Sequence, residues 1–345
     1  MLQAQNVYRN VISKEECHDE LLIIEDLFED GHFEKCIGRL ELLMQTCNLS
    51  RTDREHALEL LAKADVMVDD MTQADSAVNR LMISNPHYQL VEKDNTAEFN
   101  NLIKKYHVYP RLSIGVRNAY NTLMYKSLKT YEVLGNLDYS APYNHKGFSI
   151  FYYGWMEYQF EEKTSINADL IFFWSSYNRL LSYAPSFSLY FTEKDNFMEI
   201  PLYLKRYFPV GKNLYPYVAI GASWTRLTMA NANVSLSYTK NDLWLTGLLQ
   251  DHTATTDNID MMPMRNKNLY SIIEGIGVGY KYRNLRLFFD LRYYGGLTSL
   301  TNEKKRFDNP QLVTDYYYID NTVRINQFEI GVSLSYTLLN AVVRR

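Results

Sequence analysis

No run among the 345 residues approaches the ~18 apolar residues that a membrane-spanning helix needs, which excludes a helical membrane protein. The same absence leaves a β-barrel untouched, because a barrel strand crosses with only about 9–11 residues. Cysteine is scarce, and Cys17, Cys36 and Cys47 all fall in the first stretch of the chain. Glycine is nearly missing from that stretch, where only Gly31 and Gly38 of the 15 occur before Tyr109. Four tryptophans stand against 29 tyrosines. Positive charge is not in excess: the formal net is −4, which speaks against a generally basic nucleic-acid binder. With 46% hydrophobic and 22% charged residues, disorder over the whole length is excluded.

The averages hide a division. Residues 1–109 hold 20 acidic and 11 basic residues, a net of −9, and residues 110–345 hold 20 and 25, a net of +5, so the two sum to −4. Most of the glycine and tyrosine lies in the second part. Two domains are expected, 1–109 and 110–345. Met1 to Asn6 carry neither a charged n-region nor an apolar h-region, so they are not themselves a secretory signal. A native start and a stub behind a trimmed signal both remain open.

Residues 8–107 read as helices. Ser13 and Glu16 form a capping box ahead of the apolar stripe Leu21, Leu22, Ile24 and Phe28, and Asp30-Gly31 stops that helix. A second helix carries Phe33, Cys36, Ile37, Leu40, Leu43 and Met44. Thr52 and Glu55 form another box, opening a helix with Ala57, Leu60, Leu61, Ala64 and Val68. A fourth runs from about Thr72 to Asn85-Pro86, where proline ends it, and a fifth covers Glu98 to Tyr106. A turn at Asp30-Gly31 sets Cys17 opposite roughly residues 44–47, within disulfide reach of Cys47, and free buried thiols are the alternative. The segments beginning at Gly31 and Thr72 each open the second helix of a pair. They resemble tetratricopeptide-type hairpins, although the offset from Cys36 to Ala77 exceeds that family's period of about 34 residues. The resemblance implies a concave partner surface. The alternative is a plain helical bundle.

From residue 110 the period changes to two. Phe328, Ile330, Val332, Leu334, Tyr336 and Leu338 alternate with Glu329, Gly331, Ser333, Ser335 and Thr337, the pattern of a strand with different solvents on its two faces. Seven further strands read at about 110–121, 147–161, 164–177, 197–208, 215–228, 270–282 and 285–297, making eight with 325–338. The links at 162–163, 209–214 and 283–284 are short, whereas 122–146, 178–196, 229–269 and 298–324 are long. Outer-membrane barrels alternate in this way, with short periplasmic turns and long extracellular loops, and an even strand number leaves both barrel ends in the periplasm. Tyrosines near the strand ends suit the headgroup level of a bilayer. A soluble barrel or sandwich with a tyrosine-rich core is the competing fold.

Glu199 to Phe208 (EIPLYLKRYF) followed by Tyr215 to Gly221 (YPYVAIG) resembles the outer-membrane β-barrel domain family common in Bacteroidota, and Gly275 to Tyr280 with Leu287 to Tyr294 is similar to its later hairpin. The resemblance covers roughly 110–340. It implies an eight-stranded outer-membrane barrel and no particular activity. The helical domain and the tail Asn340 to Arg345 are additions to the family pattern.

Signs of chemistry are few. Gly275, Gly277 and Gly279 lie inside a strand with no helix following, so a phosphate loop fails its context. His145 and His252 are the only histidines after residue 109, and Asp251, Ser235 and Ser237 share the loop of His252 without any sign of a triad. His18-Asp19-Glu20 is no metal site, because consecutive helical residues diverge. The informative set is the inward one: Arg117, Lys205, Lys281, Arg286 and Arg292 against Glu157, Asp169, Glu199, Asp290 and Glu329. Five charges of each sign in an interior just wide enough for side chains should pair and plug the barrel. Glu274 breaks the pattern by sharing parity with outward Ile276 and Val278.

The expected fold class is α+β multidomain, a tetratricopeptide-like all-α N-terminal domain followed by an eight-stranded antiparallel transmembrane β-barrel. The expected function is non-enzymatic: an outer-membrane anchor or assembly component, with the helical domain in the periplasm. Its partners would be membrane lipid and other envelope proteins bound through residues 8–107, without nucleic acid, cofactor or metal. Secretion or surface display is the expected setting. The alternatives are an enzyme using the loop residues around His252 and a small-solute pore.

Overall fold

The computed structural model describes residues 14–88, 90, 91, 93, 95–131, 144, 145, 149–184, 187–211, 213–238 and 252–344. The chain divides into two compact units, Met1–Pro110 with Leu339–Arg345, and Arg111–Leu338.

The first unit contains α1 (Lys14–Glu29), α2 (Phe33–Thr46), α3 (Arg51–Met67), α4 (Met71–Ser84) and α5 (Ala97–Lys104). Their apolar stripes meet in one core in which Leu21, Ile24, Cys36, Leu40, Ala57, Leu61, Val78, Leu81 and Phe99 are buried. Between α1 and α2, Gly31 takes φ +80°. There the His32 N–H reaches Leu27 O at 2.9 Å and the Gly31 N–H reaches Phe28 O at 3.1 Å, the paired bonds of a Schellman ending that glycine permits. Ser13 lies outside the described residues. The second capping box is displaced from its expected place. Ser50, not Thr52, caps α3, accepting the Asp53 N–H at 3.1 Å while its own hydroxyl donates to the Asp53 carboxylate at 2.7 Å. The carboxylate takes the Ser50 hydroxyl as its donor where a capping box would use the backbone N–H of the cap residue. Asp70 caps α4 and Thr96 caps α5. Cys17 and Cys47 form a disulfide with Cα atoms 5.9 Å apart, and Cys36 is a buried free thiol. The last residues of the chain belong with the helices and not with Arg111–Leu338. Val342 packs on the helical core, and Arg344 pairs with Asp75.

The second unit is a closed antiparallel sheet. Its long strands are β1 (Tyr106–Lys129), β3 (Ser149–Glu161), β4 (Thr164–Ala184), β5 (Phe187–Tyr207), β6 (Leu214–Tyr238), β8 (Asn268–Tyr282), β9 (Leu285–Gly296) and β10 (Thr322–Arg344). Each pairs with the next, β10 pairs with β1, and the ring of eight closes. Two short strands, β2 (Asn144–His145) on β4 and β7 (His252–Asp260) on β6, extend one end. All eight strands expected from the sequence occur, but 178–196 is not a long loop. β4 and β5 continue through it in register from Asn178↔Thr192 to Ala184↔Phe187.

The sheet reverses its polarity along its length. Near the tight turns the outward residues are apolar, for example Val116 at 66% exposure, Ile220 at 61% and Phe172 at 60%, while the interior is charged. Beyond the level of Phe197 and Leu227 the interior becomes mainly apolar, with Tyr177, Leu189, Phe191, Val234 and Leu236 buried around a charged group that includes Glu193, Asp195 and Arg265. Thr228 sits in a bulge between Asn196↔Met229 and Phe197↔Leu227, which resets the parity of β6 at this boundary. A band of sheet that is apolar outside suits lipid. A stretch that is apolar inside and polar outside suits water.

Candidate functional site

The charged interior is the most chemically organised part of the chain. Arg117 projects inward from β1 with its side chain fully buried and pairs with Asp290 of β9 and, at 2.5 Å, with Glu329 of β10. Tyr153 donates to the same Glu329 oxygen at 2.9 Å. The guanidinium lies over Gly331, where an added Cβ would run into it, so this crossing requires glycine. Arg292 joins Asp169 at 2.8 Å and Asp290 at 3.2 Å. Tyr203 accepts from Arg292 at 2.8 Å and donates to Asp169 at 3.0 Å. Tyr217 donates to Asp290 at 2.8 Å. Nearer the tight turns, Arg286 pairs with Glu157 at 2.5 Å, donates to Ser113 at 2.7 Å, and shares that carboxylate with the Tyr207 hydroxyl.

The remaining three sequence-selected residues differ from this layer. Lys205 is 2% exposed, and its ammonium sits among aromatic rings, 4.7 Å from Trp155, 4.8 Å from Phe288 and 4.9 Å from Tyr217. Ring faces carry partial negative charge, so the box stabilises a buried cation without a carboxylate touching it. Lys281 is half-buried opposite Arg286 at the tight-turn end. Glu199 is buried at the opposite end of the charged stretch and accepts from Ser223 at 2.5 Å and Thr225 at 3.2 Å. Among the described residues no basic group pairs with it. The expectation that all ten inward charges balance in pairs is therefore corrected at Glu199 and Lys205, whose partners are polar uncharged groups and aromatic rings, and at Lys281, which faces Arg286 and pairs with no carboxylate among the described residues. Glu274 is exposed on the outer face.

A second charged cluster escaped the sequence reading. Arg265, between the short helix Met262–Met264 and β8, is fully buried and pairs with Glu193 and Asp320. Tyr177 donates to Glu193 at 2.6 Å, and Arg306 donates to the Asp320 carbonyl at 2.8 Å. Apart from Tyr177, these residues fall in the segments read as loops, where no alternation marks them as inward. Leu300, Leu312, Tyr316 and Tyr318 belong to the apolar core of this stretch, so the segment between β9 and β10 fills the barrel end away from the tight turns.

The catalytic alternative gains no geometry. Ser235 and Ser237 lie on β6 opposite Thr255 and Thr253, while Asp251 and the side chains of His145 and His252 lie outside the described residues. His18 hydrogen-bonds Asp53 at 3.1 Å.

No protein-family model matches the chain, and no curated protein matches it. Solved structures similar to it include Neisserial surface protein A at 13% identity, with 67% of this chain and 99% of that one covered and a TM-score of 0.31. The outer membrane protein OprG from Pseudomonas aeruginosa is 10% identical over 70% of this chain and 99% of its own, with a TM-score of 0.38. The outer membrane protein AlkL, solved by solid-state NMR in lipid bilayers, is 12% identical over 69% and 92%, with a TM-score of 0.35.

Proposed function

We propose that the chain is an outer-membrane protein whose barrel anchors rather than conducts, and whose helical unit works in the periplasm as a docking module. The observation that carries this reading is the lumen. Arg117, Arg286 and Arg292 of β1 and β9 are paired with Glu157, Asp169, Asp290 and Glu329 of β3, β4, β9 and β10, and the Tyr203 and Tyr217 hydroxyls reach in from β5 and β6. Ions cannot pass without breaking pairs whose separation in a low-dielectric interior is costly. The apolar outer band supports insertion in lipid, because open strand edges are absent from a closed ring and the outward side chains there are apolar. The Cys17–Cys47 disulfide favours an oxidising compartment for the helical unit.

The finer parts of the reading are membership of the Bacteroidota barrel family, suggested by Glu199 to Phe208 and Tyr215 to Gly221, and a tetratricopeptide-like character of the helices. The net of −9 over residues 1–109 and exposed Leu22, Ile23, Leu42 and Ile83 would suit a basic, partly apolar partner segment. The test is fractionation followed by affinity purification. The full chain should travel with outer membranes, change its gel mobility on boiling, and bring protein partners with it. A chain lacking 1–105 behind a fresh signal should keep the mobility change and lose the partners. Recovery of the full chain without detergent contradicts the membrane reading, and undiminished partner recovery by the truncated chain contradicts docking.

A further inference from the structure

Between the ion-paired layer and the apolar plug, the barrel encloses a cavity of about 40 Å³. That is room for a few water-sized groups, at about 10–15 Å³ each. Phe173, Phe197 and Leu269 supply apolar wall, and the two phenylalanine rings stack at 4.9 Å. Glu199, Tyr294 and Gln327 supply the polar atoms and are 2%, 2% and 5% exposed. The Tyr294 hydroxyl has no hydrogen-bond partner among the described residues, and Glu199 Oε2 has none except the neighbouring Gln327 amide. Buried polar groups are nearly always satisfied, so a bare hydroxyl and a carboxyl without a cation lining one space mark a place built for a guest.

Charge narrows the guest. Glu157, Asp169, Asp290 and Glu329 each hold an arginine, whereas the partners of Glu199 are the hydroxyls of Ser223 and Thr225 and the Gln327 amide, none of them basic. A neutral guest would give this carboxyl no countercharge. An ammonium offers three donors and one positive charge, and aromatic faces complement it.

The way in is lateral. Towards the tight turns the Arg117–Glu329 and Arg117–Asp290 pairs close the lumen, and on the opposite side Leu300, Leu312 and Tyr318 do so. The ladder between β9 and β10 stops at Tyr294↔Gln327, and the next bridge is Ser299↔Arg324. One strand advances five residues (294 to 299) while the other covers three (327 to 324), so the seam is broken here. Across the break, the Gly296 N–H is held by the Asn326 side chain at 3.1 Å instead of a backbone carbonyl. The cavity reaches this seam: Gly296, half-buried Thr298 and outward Tyr270, 51% exposed, also line it. A Cβ at Gly296 would strike the Ile325 carbonyl, so the two strands touch at this glycine and the way in opens only as they part.

We propose that this pocket binds the ammonium head of an amphipathic primary amine, which enters sideways through the break between β9 and β10 and leaves its apolar body at the seam. The proposal relies on the barrel reading only for the lipid outside the neck, and the gel-mobility and conductance assays test that reading separately.

The probe is ¹⁵N-labelled n-octylammonium titrated into the folded full chain in nanodiscs of phosphatidylcholine, with n-octanol and octanoate as matched controls. The expected result is saturable binding of octylammonium alone. Glu199→Gln should weaken it about tenfold or more, the scale of a buried charge-assisted hydrogen bond. Tyr294→Phe, which removes one oxygen and no volume, should weaken it about threefold to tenfold. It decides the matter if Glu199→Gln fails to give a heat-modifiable barrel. Competition when phosphatidylethanolamine is added to the disc assigns the ammonium to a lipid headgroup, and lack of competition assigns it to a free amine. Unsaturable partitioning into the disc, equal binding of octanol, or unchanged affinity in both variants overturns the proposal.

Discussion

Arg117→Met is the sharpest single perturbation of the barrel interior. The arginine holds two carboxylates, and its loss affects them unequally. Asp290 keeps Arg292 at 3.2 Å and the Tyr217 hydroxyl at 2.8 Å. Glu329 keeps only the Tyr153 hydroxyl, at 2.9 Å, among the bonds of these residues. Glu329 is 0% exposed, so its charge has no access to water. Removing one partner of a buried pair costs about 3–5 kcal/mol, and most of that should come from Glu329. The double variant Arg117→Met with Glu329→Gln removes the stranded charge and should recover roughly half of the loss, about 2 kcal/mol. Urea titration of the folded barrel in phospholipid vesicles, followed by tryptophan fluorescence and gel mobility, measures both. A loss below about 1 kcal/mol for the single variant would refute the buried-pair reasoning, since that is the scale of an exposed pair. So would a double variant no more stable than the single one.

Three further outcomes follow from the helical unit and the packing of Gly331. Asp65 is buried, and burial, then Asp70 and Glu41, push its carboxyl up from 3.8 to about 6. A raised folded value makes stability greatest below the unfolded value and lost as pH rises through about 6. Helix melting followed by circular dichroism should thus fall by about 3 kcal/mol from pH 4 to pH 7.5, and Asp65→Asn should flatten that slope. Reducing the Cys17–Cys47 bond, which closes a separation of 30 residues, should destabilise the helices by about 3–4 kcal/mol and leave the barrel's gel mobility unchanged. Gly331→Ala should destabilise the barrel by about 1–3 kcal/mol by driving Cβ into the Arg117 guanidinium, and Arg117→Met should relieve it when combined.

What was legible in the sequence follows the solvent. Where the outer face is apolar and the inner one polar, as from Phe328 to Leu338, alternation marks the strand and its inward residues together. The upper halves of β4, β5 and β6 invert that code. Leu189, Phe191, Glu193 and Asp195 are all buried on one face of β5, an apolar and acidic mixture that reads as a loop when lipid-facing alternation is sought. The Thr228 bulge also shifts the parity of β6 midway, so no single period-two frame covers it. Glu193 was missed for this reason, and Arg265 and Asp320 because they lie outside the strands, where no alternation marks them. Of the inward charges chosen from parity, the arginines and their carboxylates share one layer. Parity says nothing of height along the barrel, and so it could not separate Glu199 from them. The Cys17–Cys47 pairing was accessible because a tight turn at Gly31 fixes the register of two helices. The docking of Val342 and Arg344 on the helices was not, because it joins chain ends far apart in sequence with no periodic signal.

The central claim is that the barrel is a filled anchor. Its most direct test is single-channel recording of the full chain in planar bilayers, on protein first shown to be folded by its gel mobility before boiling. The account predicts a current no different from that of the bare bilayer at either polarity, with steps appearing only when the layer is opened, as in Arg117→Met with Arg292→Met. Reproducible, steady conductance steps from the unaltered protein would contradict it.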